Sequence, residues 1–357
     1  MHIYIIVIMS IFLTLFISRK IKDNYKNISS KIIIVFAFIY MFLFAGLRFN
    51  VGTDYLSYVE LFDDIISSPL VFNFRLEPVF IIISKVISVF TNNPLWLFVI
   101  TSFIITIFIF KASIKSTTYY ELSIFLFIAF GFYTSSFNIV RQWMAASILL
   151  YAYVYLNRNN NKKFFIYSLL AFCCHYSSII IFPAYLFIKK TRSDKIRLLF
   201  MFLGILLYNL TDIIVRVLQT ITLNIGILNK YYKYLNLGEN LEGSMFVFPM
   251  FCVLTYILYL FFKKSINRKS INIEVYINAL VVGFIVSMIG QKIMIFSRLQ
   301  FFFINTLIII LPQIVYSMKP KNRIIFYSMF VILGIMFYLY SLMKNGGHPL
   351  PYRTILF

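Results

Sequence analysis

The chain has 357 residues, is 61% hydrophobic and only 13% charged, and has a mean hydropathy of +0.87. A soluble domain is nearer half apolar and a quarter charged, so this composition excludes a water-soluble globular fold and predicts an all-α, polytopic integral membrane protein. The net charge of +21 does not point to nucleic acid, because the basic residues fall in short clusters between apolar runs, with no soluble domain, low-complexity tail or convincing repeat among them.

Taken in chain order, apolar runs predict spans near 3–18, 32–47, 94–110, 122–137, 138–156, 164–176, 177–188, 198–215, 245–262, 275–290, 299–316 and 324–341. That is about twelve transmembrane helices in a single membrane domain covering 1–357. Several fall short of the ~20 residues that a perpendicular helix needs, so tilted or broken helices are expected. The first run lacks a basic flank and a small-residue cleavage site and is expected to remain uncleaved. Orientation follows from charge. Arg19, Lys20, Lys22, Lys26 and Lys31 lie in the first of one alternating set of loops, and Lys111 and Lys115, then Arg158, Lys162 and Lys163, in the next two. The same set continues with Lys189, Lys190, Arg192, Lys195 and Arg197, with Lys263, Lys264, Arg268 and Lys269, and with Lys319, Lys321 and Arg323. The positive-inside rule makes these loops cytoplasmic and puts both termini outside.

Residues 164–188 have basic clusters at both ends, which predicts two short helices turning near His175–Ser178. The external loops are about 48–93 and about 216–244. Within the first, Pro78–Phe90 is apolar but short and reads as an interfacial or re-entrant helix. Cys173, Cys174 and Cys252 lack metal-ligand spacing and read as packing residues.

Ionisable side chains beside such apolar runs are the informative ones, since a charge in hydrocarbon costs roughly 2.5–3.5 kcal/mol even on the lenient insertion scale. Arg48 opens the segment Gly46–Tyr58, where Gly52-Thr53-Asp54 reads as a turn into a helix with Thr53 as a possible N-cap. Tyr55 and Tyr58 then share one face. Taken singly, Arg48 and the tyrosines also suit an interfacial anchor. Arg75 and Glu77 precede Pro78, and Glu77 reads as a helix cap or a partner of Arg75. Asn138, Arg141, Gln142, Ala145 and Leu149 form a polar and small-residue stripe. Arg141 has no acidic neighbour in sequence and needs a partner from elsewhere or from a ligand, for which phosphate suits the guanidinium fork. His175 reads either as a hydrogen-bonded core residue or as an acid–base group. Gly283, Ser287, Gly290, Gln291, Met294 and Arg298 make a second such stripe, and the tail from His348 to Arg353 reads as structural.

These boxes resemble the Wzy class of bacterial polysaccharide polymerases, and within it the EpsG-like branch. The resemblance rests on RFNVGTDYLSY at Arg48–Tyr58 and RLEPVF at Arg75–Phe80. It is extended by the segment Phe137–Leu156, by AFCCHYSS at Ala171–Ser178, by SRLQFFF at Ser297–Phe303 and by Pro351–Arg353. VGTDY is the most specific element. Pro78 after Glu77, where glycine is more usual, and the Cys173-Cys174 pair depart from the pattern. The resemblance implies a multi-pass protein of the bacterial inner membrane whose site faces the periplasm. It would transfer a glycan from undecaprenyl diphosphate to the terminal hydroxyl of another lipid-linked repeat unit, with no cofactor and no divalent metal. A chain-length regulator and a flippase are the implied partners, with the lipid bilayer around them.

For that reaction the expected diphosphate contacts are Arg48, Arg141 and Arg298, with Arg75 accessory, because preorganised guanidinium groups can stabilise the departing charge. Asp54, Glu77 and His175 are the candidate bases, in that order. Tyr55, Tyr58 and Gln142 are the candidate sugar contacts. Two other readings stay open: a flippase or transporter of lipid-linked oligosaccharide, for which two similar halves would be expected, and a ligase-type transferase or membrane acyltransferase.

Overall fold

The computed structural model describes residues 1–24, 28–69, 76–224, 246–269 and 271–355. Two helices, α1 (His2–Asn24) and α2 (Ile28–Gly46), form a first hairpin, and two short amphipathic helices follow, α3 (Tyr55–Ser67) and α4 (Pro78–Phe90). The long α5 (Leu95–Ser116) leads to α6 (Tyr120–Ala129), the single turn α7 (Phe132–Ser135) and α8 (Val140–Leu156). Next come α9 (Asn161–Cys174), a 3-10 turn (Tyr176–Ile180), α10 (Ile181–Ile188) and α11 (Asp194–Asn224). The remainder comprises α12 (Val247–Arg268), α13 (Glu274–Gly290), α14 (Met294–Leu299), α15 (Phe301–Ile304), α16 (Leu307–Ser317) and α17 (Pro320–Lys344). Among the described residues the only β pairing is an isolated bridge between Arg48 and Thr354.

The predicted spans fall on helices, with the one over 122–137 broken at Phe130–Gly131, and the protein is a multi-pass, all-α membrane protein. Among the described residues seven helices are long and apolar enough to cross a bilayer unaided: α1, α2, α5, α11, α12, the broken run 294–317, and α17. Three of the shorter ones lie inside. All of α6 is buried, as is nearly all of α8 and α13, whereas α17 exposes Ile324, Ile325, Ile332 and Met336. Helices apolar all round thus fill the centre, and the long ones turn apolar faces outward, as lipid requires.

Backbone broken at membrane depth survives only where protein satisfies it. The interruptions in the run 294–317 are met by α8. Gln142 Nε2 donates to Arg298 O (2.6 Å), Tyr153 Oη donates to Phe302 O (3.0 Å), and Asn305 Nδ2 donates back to Ala146 O (2.9 Å).

The predicted turn near His175 is present. His175 is extended (φ −160°, ψ 115°) between α9 and the 3-10 turn. Phe164 and Phe165 at the start of α9 pack on Tyr185 near the end of α10, with ring centroids 5.3 and 4.8 Å apart, so α9 and α10 form an antiparallel hairpin. The helix Pro78–Phe90 also has its predicted bounds. The span predicted over 198–215 is longer than expected: α11 continues to Asn224, held at Asp212 by Lys292 (Nζ–Oδ2 2.6 Å). Most of the predicted loop 216–244 lies outside the described residues.

The basic clusters gather at one end of the bundle. There Arg19 pairs with Glu121 (2.6 Å), and Arg197 is enclosed by Glu274, Asp194, Tyr259 and Asn278. At the opposite end the tail lies along residues 47–52. Phe49 N donates to Arg353 O (2.9 Å), Gly52 N to His348 O (3.1 Å), and Tyr4 Oη to Pro349 O (2.8 Å). Both described ends of the chain therefore sit away from the basic loops. Asn138 is wedged between Gly52 (φ 100°) and Gly347 (φ 73°), and a Cβ on either glycine would overlap its carboxamide. The left-handed backbone and the lack of room both demand glycine there.

Candidate active site

Pro78 explains the position of Glu77. Proline is favoured at the first position of a helix and pushes the residue before it into extended backbone, and Glu77 accordingly has φ −72° and ψ 137° at the head of α4. Its carboxylate is 5% exposed and bridges two side chains from distant parts of the chain. Arg141 Nη1 donates to Oε2 (2.5 Å), and His175 Nδ1 lies 2.6 Å from Oε1.

Each partner is positioned by its own local structure. Arg141 occupies the first turn of α8, where a cation opposes the helix dipole and so needs an anion beside it. Its guanidinium lies over the rings of Phe80 (5.5 Å) and Tyr58 (6.0 Å), within cation–π range. His175 stands at the apex of the α9–α10 hairpin, and Tyr176 Oη donates to Leu76 O (3.1 Å), tying that apex to the residue before Glu77. Arg141 and His175 side chains are 25% and 26% exposed, so the cluster has one buried carboxylate and two half-open partners. The buried Arg141 Nε has no hydrogen-bond partner.

Electrostatics decide which partner donates. Burial pushes the Glu77 carboxyl up, but the His175 hydrogen bond and the Arg141 charge outweigh it, and Glu77 lies below its ordinary range. An ionised carboxylate can only accept. His175 Nδ1 is then the donor, and in the neutral form of the ring that tautomer has its lone pair on Nε2.

The sequence profile of the EpsG family matches residues 31–354, nearly the whole chain. The chain belongs to the EpsG family. It is a family of Wzy-like polysaccharide polymerases, so the coarse activity is that of a polysaccharide polymerase of glycosyltransferase type. No curated protein and no solved structure matches the chain.

The other expected site residues of this EpsG-family protein fall into two groups. Near the cluster, the main chain of Arg298 is held by Gln142, the neighbour of Arg141. The Arg298 side chain is exposed and forms no ion pair among the described residues. Gln142, expected to touch sugar, is buried and spends its amide on that tie. Asp54 is half-exposed at the head of α3, where it rather than Thr53 takes the N-cap position; Thr53 Oγ1 donates to its Oδ1 (3.1 Å).

The second group is enclosed. Arg48 is 1% exposed. Its Nη1 donates to Ala45 O (2.5 Å) and its Nη2 to Phe137 O (3.0 Å), between the rings of Phe98 and Phe137. The expected diphosphate contact finds no opening there. Tyr55 is buried and stacks face to face on Phe98 (4.4 Å, 11°), and Tyr58 is buried against Phe80. Neither ring presents a free face to a sugar. Burying a tyrosine ring stabilises the fold, which accounts for these two without a ligand. Arg75 lies outside the described residues. Among the described residues no group of three or more His, Cys, Asp or Glu comes together in the manner of a metal site.

The link itself leaves no trace in local sequence. Glu77 reads there as a helix cap or a partner of nearby Arg75, whereas its partners are 64 and 98 positions away. Its one sequence signal was an acid directly before a helix-starting proline.

Proposed function

We propose that the protein polymerises undecaprenyl-diphosphate-linked oligosaccharide units at the outer face of the bacterial plasma membrane. The observation that carries this reading is the Glu77 carboxylate joining Arg141 and His175 at the bundle end remote from the basic loops. By the positive-inside rule that end faces outward.

In the proposed reaction the acceptor sugar hydroxyl attacks the anomeric carbon of the donor chain. The new bond is the glycosidic C–O bond, and the bond that breaks joins the anomeric carbon to the lipid diphosphate. The hydroxyl proton goes to His175 Nε2, and Glu77 holds the ring through Nδ1 and offsets the positive charge the imidazole acquires. This promotes His175 from third candidate base to first and makes Glu77 its positioning partner. Arg141 and Arg298 stabilise the negative charge gathering on the departing diphosphate. Arg48 supports the fold, and Asp54 is left as a contact for a sugar hydroxyl.

The test is reconstitution of purified protein with one defined lipid-linked repeat unit. A ladder of longer glycans should form without nucleotide sugar, and His175→Ala should give none. If a His175→Ala protein of normal stability gives a wild-type ladder, the assignment of the base is wrong. If the wild type gives no ladder but moves the repeat unit across the vesicle membrane, the transporter reading replaces it.

A further inference from the structure

A second polar site lies at the basic end of the bundle, at the far end of α8 from Arg141. α8 has 17 residues, which at ~1.5 Å per residue separates the two by about 25 Å. A hollow of about 260 Å³ opens there, where the ends of α5, α8 and α16 meet the segment before α13. Lys115, Ser116, Asn157, Arg158, Asn272 and Gln313 supply polar lining, and among the described residues no carboxylate lines it.

Two features ask for a ligand. The first is charge: Lys115 Nζ is met by the hydroxyls of Tyr151 (2.5 Å) and Tyr155 (3.5 Å) and by their rings, and Arg158 Nη2 donates to Lys115 O (2.9 Å). Neither cation has an ion pair among the described residues. The second is unmet hydrogen-bond capacity. Gln313 is 6% exposed and gives its Nε2 to Ser116 O, and Asn157 gives its Nδ2 to Asn272 O (2.8 Å). Those bonds fix both amides and leave Gln313 Oε1 and Asn157 Oδ1 buried without a donor.

A partner that answers both must bring an anion for the cations and hydroxyl donors for the two oxygens. We propose that this hollow binds a small phosphate ester bearing hydroxyl groups, supplied as the headgroup of an anionic glycerophospholipid. Drug-sized ligands occupy roughly 300–1,000 Å³, so the hollow suits a headgroup and is too small for a nucleotide sugar. Basic pockets between helices at headgroup depth are where such lipids settle. The inference is independent of the proposed reaction, which lies at the other end.

The test is native mass spectrometry of the full chain released from detergent containing phosphatidylglycerol or phosphatidylcholine. Wild type should retain phosphatidylglycerol at least tenfold over phosphatidylcholine. The double variant Lys115→Gln/Arg158→Gln should lose that preference, and Lys115→Arg should keep it. A third arm adds glycerol 3-phosphate to wild type alone, so a misfolded variant cannot stall the test. Displacement of lipid by millimolar glycerol 3-phosphate would uphold the phosphate-ester chemistry and name a soluble source. Equal retention of the two lipids by wild type with no effect of glycerol 3-phosphate, or an unchanged preference in a well-folded double variant, would overturn the proposal.

Discussion

Two ion clusters, one at each end of the bundle, are built around an arginine and differ in what they leave unmet. Arg197 is fully enclosed. Its Nε donates to Asn278 Oδ1 (2.9 Å), Nη1 to Asp194 Oδ1 and Tyr259 Oη (3.1 Å each), and Nη2 to Glu274. Lys263 meets the second oxygen of Asp194 (2.5 Å), so two carboxylates balance two cations. Arg141 has only a share in one carboxylate, an unpartnered Nε and a quarter of its side chain open. A closed, balanced cluster clamps helices together, here α11, α12 and α13. An open cluster whose guanidinium still has donors to give has capacity left for an anion that arrives and departs.

The contrast is sharpest under substitution. His175→Ala should cut polymer formation by about 10²–10⁴-fold, the usual worth of a positioned acid–base group, with membrane levels unchanged; a glycan ladder and an immunoblot read the two. Arg141→Ala should cost roughly 10²–10³-fold through lost stabilisation of the leaving group. Arg197→Leu should behave in the opposite way. Removing one member of a buried pair costs about 3–5 kcal/mol, so melting in detergent should fall steeply while the surviving folded protein keeps its turnover. A normal melt with lost turnover would erase the distinction between the clusters. Gly52→Ala should destabilise by roughly 1–3 kcal/mol, because the left-handed backbone and the Asn138 carboxamide both oppose a Cβ; thermal melting checks it.

Hydropathy made the spans legible, and charge parity made the hairpin at His175 legible, because both depend on composition along the chain. Proline and length together marked the helix Pro78–Phe90. Contacts between remote segments left no such trace. Arg48 and Arg141 look alike in sequence, each a lone arginine at the end of an apolar run. One is shut in by Phe98, Phe137 and two carbonyls, while the other faces a carboxylate from a loop far upstream. Tyr55 and Tyr58 share a helix face as expected, but that face is turned inward by α5 and α4. The extension of α11 beyond the predicted span 198–215 left no such trace, because Arg216 reads as the start of the loop 216–244. Lys292 neutralises Asp212 from another segment, and the helix continues past Arg216.

The smallest expected effect bears most directly on the proton assignment. Glu77 has its carboxyl held below the ordinary range by His175 and Arg141 despite burial. A carboxyl whose folded pKa is depressed adds stability that is fully present above its unfolded value, ~4.3, and that is lost as pH falls through the folded value. Wild type should therefore melt above Glu77→Gln at neutral pH, with the gap narrowing below about pH 4. A gap that instead widened on acidification would mean that Glu77 holds a proton in the folded protein. The carboxyl would then be free to donate to His175 Nδ1, the ring proton would sit on Nε2, and the imidazole would have no lone pair facing the acceptor hydroxyl. Melting curves of the two proteins between pH 7 and pH 3.5 thus decide whether the carboxylate orients a base or is itself the acid.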